Sequence, residues 1–478
     1  MISRRRFLQS SVSLALVPLL PRVALSADLR VRTSWEAFCA GPSFGSFLSA
    51  VKAMKALVNN ADPNSWSYWV NVHSQFCPHG KAYFLAWHRG FLYSFENQLR
   101  QISGDPDLVL PYWNYYDSPA IPPEFLDRTS PLYRSDRQGT EVSSGLSLDA
   151  FADTVLYFQR GKPHNFESII EPRPHNNIHN LIGGSMASIR ISPRDPLFWV
   201  HHANIDRLWV AWLAAGNGRR QPATIYSYWS GTFGYGSAVP TVPRAWTAST
   251  STNLGYQYDN ETMPTALPMP PSSSSLAASS NFSAIALPTR PAAIQTAPLG
   301  VARPLALDER SVSVEVPLTT QDANRVRSIL LQPGTSATAS EASSPLRVVL
   351  DGVHLTGLGE KGGYFYNVYI NLPAQGGGGA PASAYLLGSV GSFEIGVAQM
   401  KASMQGSGMH GMQDMDMQGA HGAGVRLVFP VTEALRRIWP TRLDQLTISF
   451  VRVNGSRQPA RGDVIRIKGF SVQADPAL

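Results

Sequence analysis

Two regimes of hydrophobic patterning divide this chain. From about residue 30 to residue 260, apolar positions recur at helical spacing between long irregular stretches. Phe91, Leu92, Phe95 and Leu99 follow His88 at three- and four-residue steps, and Ile205, Leu208, Trp209, Trp212 and Leu213 form a second stripe. Each predicts a buried amphipathic helix. Beyond residue 304 the pattern becomes one of short β runs, Val312–Val316, Leu346–Leu350, Phe365–Leu372, Ser392–Val397, Leu446–Val453 and Val464–Ser471, separated by Gly-rich turns. Alternation of this kind predicts an antiparallel β-sandwich. Between the two regimes, residues 263–304 are rich in Pro, Ser and Ala, and read as a linker. The expected fold class is α + β and multidomain: a mainly α-helical bundle at 28–262, then the sandwich at 305–478.

The first 27 residues read as a targeting segment. Ser3-Arg4-Arg5-Arg6-Phe7-Leu8-Gln9 resembles a twin-arginine export motif, followed by apolar Val12–Leu20 and the small-residue end Ala24-Leu25-Ser26-Ala27. The expectation is an exported protein, periplasmic or secreted, that crosses the membrane already folded. No apolar run of about 18 residues follows to act as a membrane span. Four arginines of the targeting segment account for part of the net charge of +7, and no basic cluster elsewhere points to nucleic acid. Two cysteines are too few for a disulfide-based fold.

Candidate chemistry lies in the histidines. Six of the eleven fall in two groups of three: His73, His79 and His88, then His175, His179 and the pair His201-His202 counted as one ligand. His175 and His179 are one helical turn apart and can converge on one ion, as can His202 and the face it shares with Asp206. His201 and His202 differ by roughly 100° of rotation, so only one of them points at a given metal. His79 and His88 are half a turn out of phase, which places His88 on a helix and His79 in the irregular segment before it, beside Pro78 and Gly80. A lone histidine in an aromatic core is ordinarily a core residue, and zinc also uses His-x3-His. Two triplets in one stretch of about 130 residues instead suit two copper ions, since imidazole is a ligand for copper that cycles between oxidation states and meets O2.

The surrounding residues carry a resemblance. His79-x4-Phe84-Leu85-Ala86-Trp87-His88-Arg89 and Asp195-Pro196-Leu197-Phe198-Trp199-x2-His202-x3-Asp206-Arg207 resemble the two copper signatures of tyrosinases and polyphenol oxidases, here in a bacterial form. The likeness extends to Leu110-Pro111-Tyr112-Trp113, Gly183-Gly184-Ser185-Met186 and Gly255-Tyr256-Gln257-Tyr258; Gly90 departs from it, standing where the family often has proline. The resemblance implies a type-3 dicopper centre with O2 as cosubstrate. His73, His79 and His88 would hold copper A; His175, His179 and His202 would hold copper B. His201, Asp206 and Arg207 would support the ligands. The implied activity is ortho-hydroxylation of a small phenol and oxidation of o-diphenols to o-quinones. Catechol oxidase or o-aminophenol oxidase activity alone, and O2 carriage as in haemocyanins, remain alternatives.

Family likeness also assigns the remaining roles. Glu171 and Asn176 would orient a water that deprotonates the phenol, with Glu167 as the other candidate carboxylate. Ile189 would border substrate access, leaving a wider mouth than phenylalanine. Cys77 has the spacing for a thioether to His79; a Cys39–Cys77 disulfide and a free Cys77 thiol are the rivals. Tyr364–Asn371 and Leu387–Phe393 resemble the C-terminal domain of plant polyphenol oxidases, which implies a shield over the copper cleft, opened by a protease as partner. Within it, residues 400–421 form a Met- and His-rich insert. Met404, Met409, His410, Met412, Met415, Met417 and His421 are soft candidate ligands for accessory Cu(I), or else part of a plain flexible loop.

Overall fold

The computed structural model describes residues 29–268, 294–296, 304–332, 345–373, 380–406, 424–440, 443–456 and 461–474. The targeting segment, most of the linker and the Met/His insert beyond residue 406 lie outside them.

The first domain opens with strand β1 (Arg30–Arg32), then short α1 (Trp35–Cys39), α2 (Phe44–Ala56), α3 (Trp66–Phe76) and α4 (Phe84–Ser103). Helix α4 carries the predicted apolar stripe and ends at Gly104, whose φ of 68° is the left-handed cap that glycine adopts without strain. Loops and short turns then lead to α5 (Phe166–Ile170), a kinked turn (Glu171–Asn176) broken at Arg173, whose backbone is extended, then α6 (Asn177–Ile182) and α7 (Leu197–Ala214). A small hairpin, β2 (Thr232–Phe233) and β3 (Val242–Pro243), precedes β4 (Tyr256–Tyr258), which pairs in parallel with β1. Helices α4 and α7 pack through a stack of Phe95 on Trp199, ring centroids 3.4 Å apart.

One buried carboxylate ties these elements together. Asp206 on α7 receives Arg89 Nε of α4 at 2.5 Å and the hydroxyls of Tyr256 and Tyr258 at 2.7 and 2.6 Å. Arg32 of β1 lies 3.6 Å from the same carboxylate and bonds Glu96 of α4 at 2.8 Å. The Tyr-x-Tyr segment is therefore a clasp on α7. Arg207 extends the tie, donating to Asn204 and to the carbonyls of Asn260 and Thr262. Gly90 is explained as well: a Cβ there would collide with the Tyr235 hydroxyl, which donates to the Trp87 carbonyl on α4.

The second domain is a sandwich with its own apolar core. Strand β5 (Ile294–Thr296) falls inside the expected linker and pairs in parallel with β7 (Val312–Pro317). The others are β6 (Leu305–Leu307), β8 (Leu346–Leu355), β9 (Tyr364–Ile370), β10 (Leu386–Gly391), β11 (Val425–Pro430), β12 (Gln445–Asn454), β13 (Ile465–Ile467) and β14 (Gly469–Ala474). One sheet runs β10-β9-β12-β7-β5; the other runs β11-β8-β13-β6, with β14 also on β8. Helices α8 (Thr320–Leu331), α9 (Ala382–Tyr385), α10 (Ser392–Gly406) and α11 (Thr432–Ile438) were not anticipated.

The strand expected at Ser392–Val397 is in fact the start of α10. Its apolar residues serve two cores: Phe393, Val397 and Met400 enter the first domain's core, while Ile395 enters the sandwich. A helix wedged between two cores is apolar on two sides, and here the result imitates a period of two. Around the wedge the domains meet backbone to backbone. Gly363 N donates to Asn180 O at 2.8 Å, and a Cβ on Gly455 would strike the Leu181 carbonyl.

Replacing Asp206 by Asn leaves buried Arg89 and Arg32 without their shared charge. The expected loss is about 3–5 kcal/mol in urea unfolding of the copper-free protein; a loss below about 1 kcal/mol, the scale of exposed pairs, would remove the clasp role.

Candidate metal centre

The six predicted ligands come from six successive segments. His73 sits near the end of α3, His88 on α4, and His79 in the irregular segment between them, as the half-turn mismatch required. His175 lies near the end of the kinked Glu171–Asn176 turn, His179 follows on α6, and His202 is on α7. Helix α7 starts where Asp195 accepts the Leu197 N–H at 2.9 Å, with Arg137 gripping the same carboxylate at 2.7 and 2.8 Å. All six rings are buried. They form two groups whose nitrogen atoms lie within 4.8 Å of one another, His73–His79–His88 and His175–His179–His201–His202. The groups adjoin: the His88 and His202 rings stack with centroids 4.5 Å apart.

Proton placement decides what the pockets hold. His88 Nδ1 faces the Phe84 carbonyl at 2.7 Å, His179 Nδ1 the Met186 carbonyl at 2.8 Å, His175 Nδ1 the Asn176 Oδ1 at 2.8 Å and His79 Nδ1 the Glu171 carboxylate at 3.3 Å. The two carbonyls and Asn176 Oδ1 fix the proton of His88, His179 and His175 on Nδ1 and leave Nε2 with a lone pair, while Glu171 lies beside His79 Nδ1 without hydrogen-bond geometry. Yet Nε2 atoms meet head-on, His73 with His79 at 3.4 Å, and His202 with His175 at 3.2 Å and with His179 at 3.4 Å. His73 and His202 have no acceptor at Nδ1, so each can carry its proton on Nε2 and donate across these contacts; a cation can take the place of that proton, and three converging ring nitrogens in each group fit a metal ion. His202 shares in this convergence through Nε2. His201 stacks on His175 at 5.2 Å with both nitrogens buried and unpartnered. Burial, reinforced by neighbouring imidazoles, holds His73, His88, His179, His201 and His202 well below the usual 6.5, and His175 down to about 3.

Both glutamates are engaged. Glu171 Oε1 also accepts the Gly80 N–H at 2.5 Å, and Oε2 accepts Arg160 at 2.5 Å. Burial alone would raise its pKa, but Arg160, His79 and the Gly80 N–H hold it down to about 2. Glu167 accepts the Leu85 N–H at the start of α4 and the Arg160 N–H, and burial pushes it up to about 7. Cys77 is buried with its thiol raised by burial and is not bonded to Cys39, which is half-buried beside Glu124 and Glu36. Ile189 is buried and touched from α10 at Gly396.

Sequence reasoning missed what lies over the rings. Phe393 of α10 stacks on His179 at 4.3 Å and 23°, and sits edge-on to His79 and His175 at 5.3 and 5.6 Å. Asn180, next to His179, clamps it: Oδ1 accepts the Phe393 N–H at 2.9 Å and Nδ2 donates to Glu394 at 2.8 Å. Phe393 ended one segment quoted for its family likeness, but nothing in the sequence aims that ring at the histidines. Met404 lies on α10 with its side chain undescribed; Met409, His410, Met412, Met415, Met417 and His421 fall outside the described residues.

Comparison with known proteins agrees with this site. Residues 60–145 and 127–215 match the family model for the common central domain of tyrosinase. The chain carries a tyrosinase-family domain. Among curated relatives, a tyrosinase of Hahella sp. is 32% identical over 219 residues, covering 34% of this chain and 45% of its own length. Aureusidin synthase of Antirrhinum majus is 30% identical over 238 residues, 37% of this chain and 42% of its own. The chain thus spans less than half the length of these two relatives. Latent apple tyrosinase shares the fold across 94% of this chain and 98% of its own, with a TM-score of 0.53 at 19% identity. The tyrosinase family is a type-3 dicopper family, and the two triplets suit two copper ions with O2 as cosubstrate. Among the described residues no helix is long and apolar enough to cross a membrane.

Two outcomes follow for the tyrosinase domain. His202→Ala should lower bound copper, measured by mass spectrometry of the metal, from about two ions per chain to about one, while His201→Ala keeps about two; the reverse would exchange their roles. In the copper-free protein the depressed imidazole pKa values support stability above about pH 6.5 and withdraw it as pH falls, because unfolding then takes up protons. Thermal midpoints of the copper-free form should therefore fall between about pH 7 and 5, more steeply than those of the copper-loaded form.

Proposed function

We propose that this protein is a latent copper phenol oxidase that ortho-hydroxylates small monophenols and oxidises o-diphenols to o-quinones. The observation that carries the reading is Phe393: an aromatic ring from the second domain rests on three copper-ligand histidines, where a phenol ring would otherwise lie. Bound in the two histidine groups, copper supplies the redox chemistry with O2. The chain's own residues do the rest. His179 offers a face on which the substrate ring stacks, and Ile189 borders the access with a branched chain narrower than a phenyl ring. Glu171, ionised, orients a water together with Asn176, and that water receives the phenolic proton. A thioether from Cys77 to His79 belongs to the same reading and would hold that ring's orientation.

Latency follows from the α10 wedge. With Phe393 seated and Asn180 holding both its N–H and the Glu394 carboxylate, substrate is kept from the rings. Release would come from cutting within 263–304 by a protease after export of the folded chain. A narrower reading, o-diphenol oxidation alone, is favoured by one fact: both Glu171 oxygens already have partners.

Oxygen uptake by copper-loaded protein tests this, with a monophenol and then its catechol, on the whole chain, the chain cut in 263–304, and Phe393→Ala. Cutting and Phe393→Ala should each raise uptake by about tenfold or more. Uptake with both phenols supports the full activity, and with catechol alone the narrower one. A cut chain no faster than the whole chain would end the shielding role. Uptake with neither would turn the reading to an O2 carrier.

A further inference from the structure

A basic cavity of about 430 Å3 opens between the end of α2, the side of α3 and the 190–194 turn, and no copper ligand lines it. Lys55, Arg134, Arg190 and Arg194 border it, with Trp66 and Val58 among its apolar walls. Lys55 Nζ is pinned there, donating to the Pro131 carbonyl at 2.6 Å and lying 5.4 Å from the centre of the Trp66 ring. The neighbouring carboxylates are committed elsewhere. Asp136 takes Arg134 at 3.0 Å and the Ser185 hydroxyl at 2.6 Å, and Asp195 takes Arg137 through two nitrogens. Among the described residues no carboxylate lies within ion-pair distance of Lys55 or Arg194. Trp66 Nε1 donates to the Pro193 carbonyl at 2.8 Å, fixing the turn that carries Arg194 against α3.

Lys55 and Arg194, two cations on one concavity with no carboxylate at ion-pair distance among the described residues, create a field that attracts an anion. The volume lies in the range of small-molecule sites, and the tryptophan and valine walls favour an apolar body over a bare inorganic ion. We propose that this cavity binds a small organic anion, an apolar ring or chain bearing one carboxylate, which Lys55 and Arg194 pair while Trp66 and Val58 pack on its body. The site is independent of the copper chemistry. Burial lowers the Lys55 pKa to about 8, with Arg134 and Arg137 adding to the fall and Asp195 and Asp136 opposing it. Arg190 and Arg194 are the other charges bordering the cavity. A bound carboxylate would raise that pKa, so binding takes up protons around pH 8 and weakens as pH rises beyond it.

The test is isothermal titration of the copper-loaded whole chain, whose copper rings are covered by Phe393, with cyclohexanecarboxylate at low salt. Binding at one saturable site is expected, weaker at pH 9 than at pH 7, and weakened about tenfold in Arg194→Gln and further in Arg194→Gln with Lys55→Met. Arg194 is exposed, so its single variant should fold even where the double variant fails. Absence of saturable binding, or equal affinity in Arg194→Gln, overturns the proposal. Equal binding of cyclohexanol overturns the role of the charge, and equal binding of inorganic phosphate overturns that of the apolar walls.

Discussion

The Asp206 carboxylate is the constraint on which the rest of this structure depends. It lies one helical turn beyond His202 on α7, and its partner Arg89 is the residue after His88 on α4. Joining them sets the register of two long helices against each other, and with it the stacking of one ring from each histidine group. A charge so deeply buried costs several kcal/mol to desolvate, and is tolerated because two arginines and two tyrosine hydroxyls surround it. Replacing such a cluster by apolar residues could preserve stability, but it would not define the helix register as sharply.

From that register the metal site follows almost without freedom. Backbone carbonyls of Phe84 and Met186 and the Asn176 amide each accept an Nδ1 proton, so the inward nitrogens of His88, His179 and His175 are turned to lone pairs before any metal arrives, and the Glu171 carboxylate lies 3.3 Å from His79 Nδ1. Such preorganisation leaves little for the ion to rearrange, and explains why acceptors far from the metal matter for binding it. Glu171 serves this order from two sides, bonding the Gly80 backbone next to His79 and lying beside the His79 ring.

The second domain answers to the same geometry. Its wedge helix divides its side chains between two cores, and its N-terminal turn is held by the amide of Asn180, the neighbour of His179 in the second histidine cluster. Glycines at the seam let the backbones approach closely, so the start of α10 is seated by main-chain contacts as well as by an aromatic ring. The residue that holds α10 and a histidine of the second metal-binding cluster thus share a helix, α6.

Much was legible in the sequence, because its signals are local. Helical spacing of apolar residues found α4 and α7, histidine phase separated His79 from His88, and alternation found β7, β8, β9 and β12 and one run spanning β13 and β14, but not β6, β10 or β11. The same local logic failed at Ser392–Val397, where a helix with two buried sides mimicked a strand, and at Ile294–Thr296, where three residues in a Pro- and Ser-rich stretch form a strand only because β7 offers an edge. The chain's own sequence determined the ligand types and the elements that carry them, since period and motif are properties of neighbouring residues. Only the tertiary structure decided that Nε2 atoms from distant segments face each other, that Glu171 answers to Arg160 and His79, and that Phe393 covers the site. Those outcomes depend on how separate segments fold together, from His73 and His79 six positions apart to Asn180 and Phe393 213 apart, which no local pattern encodes.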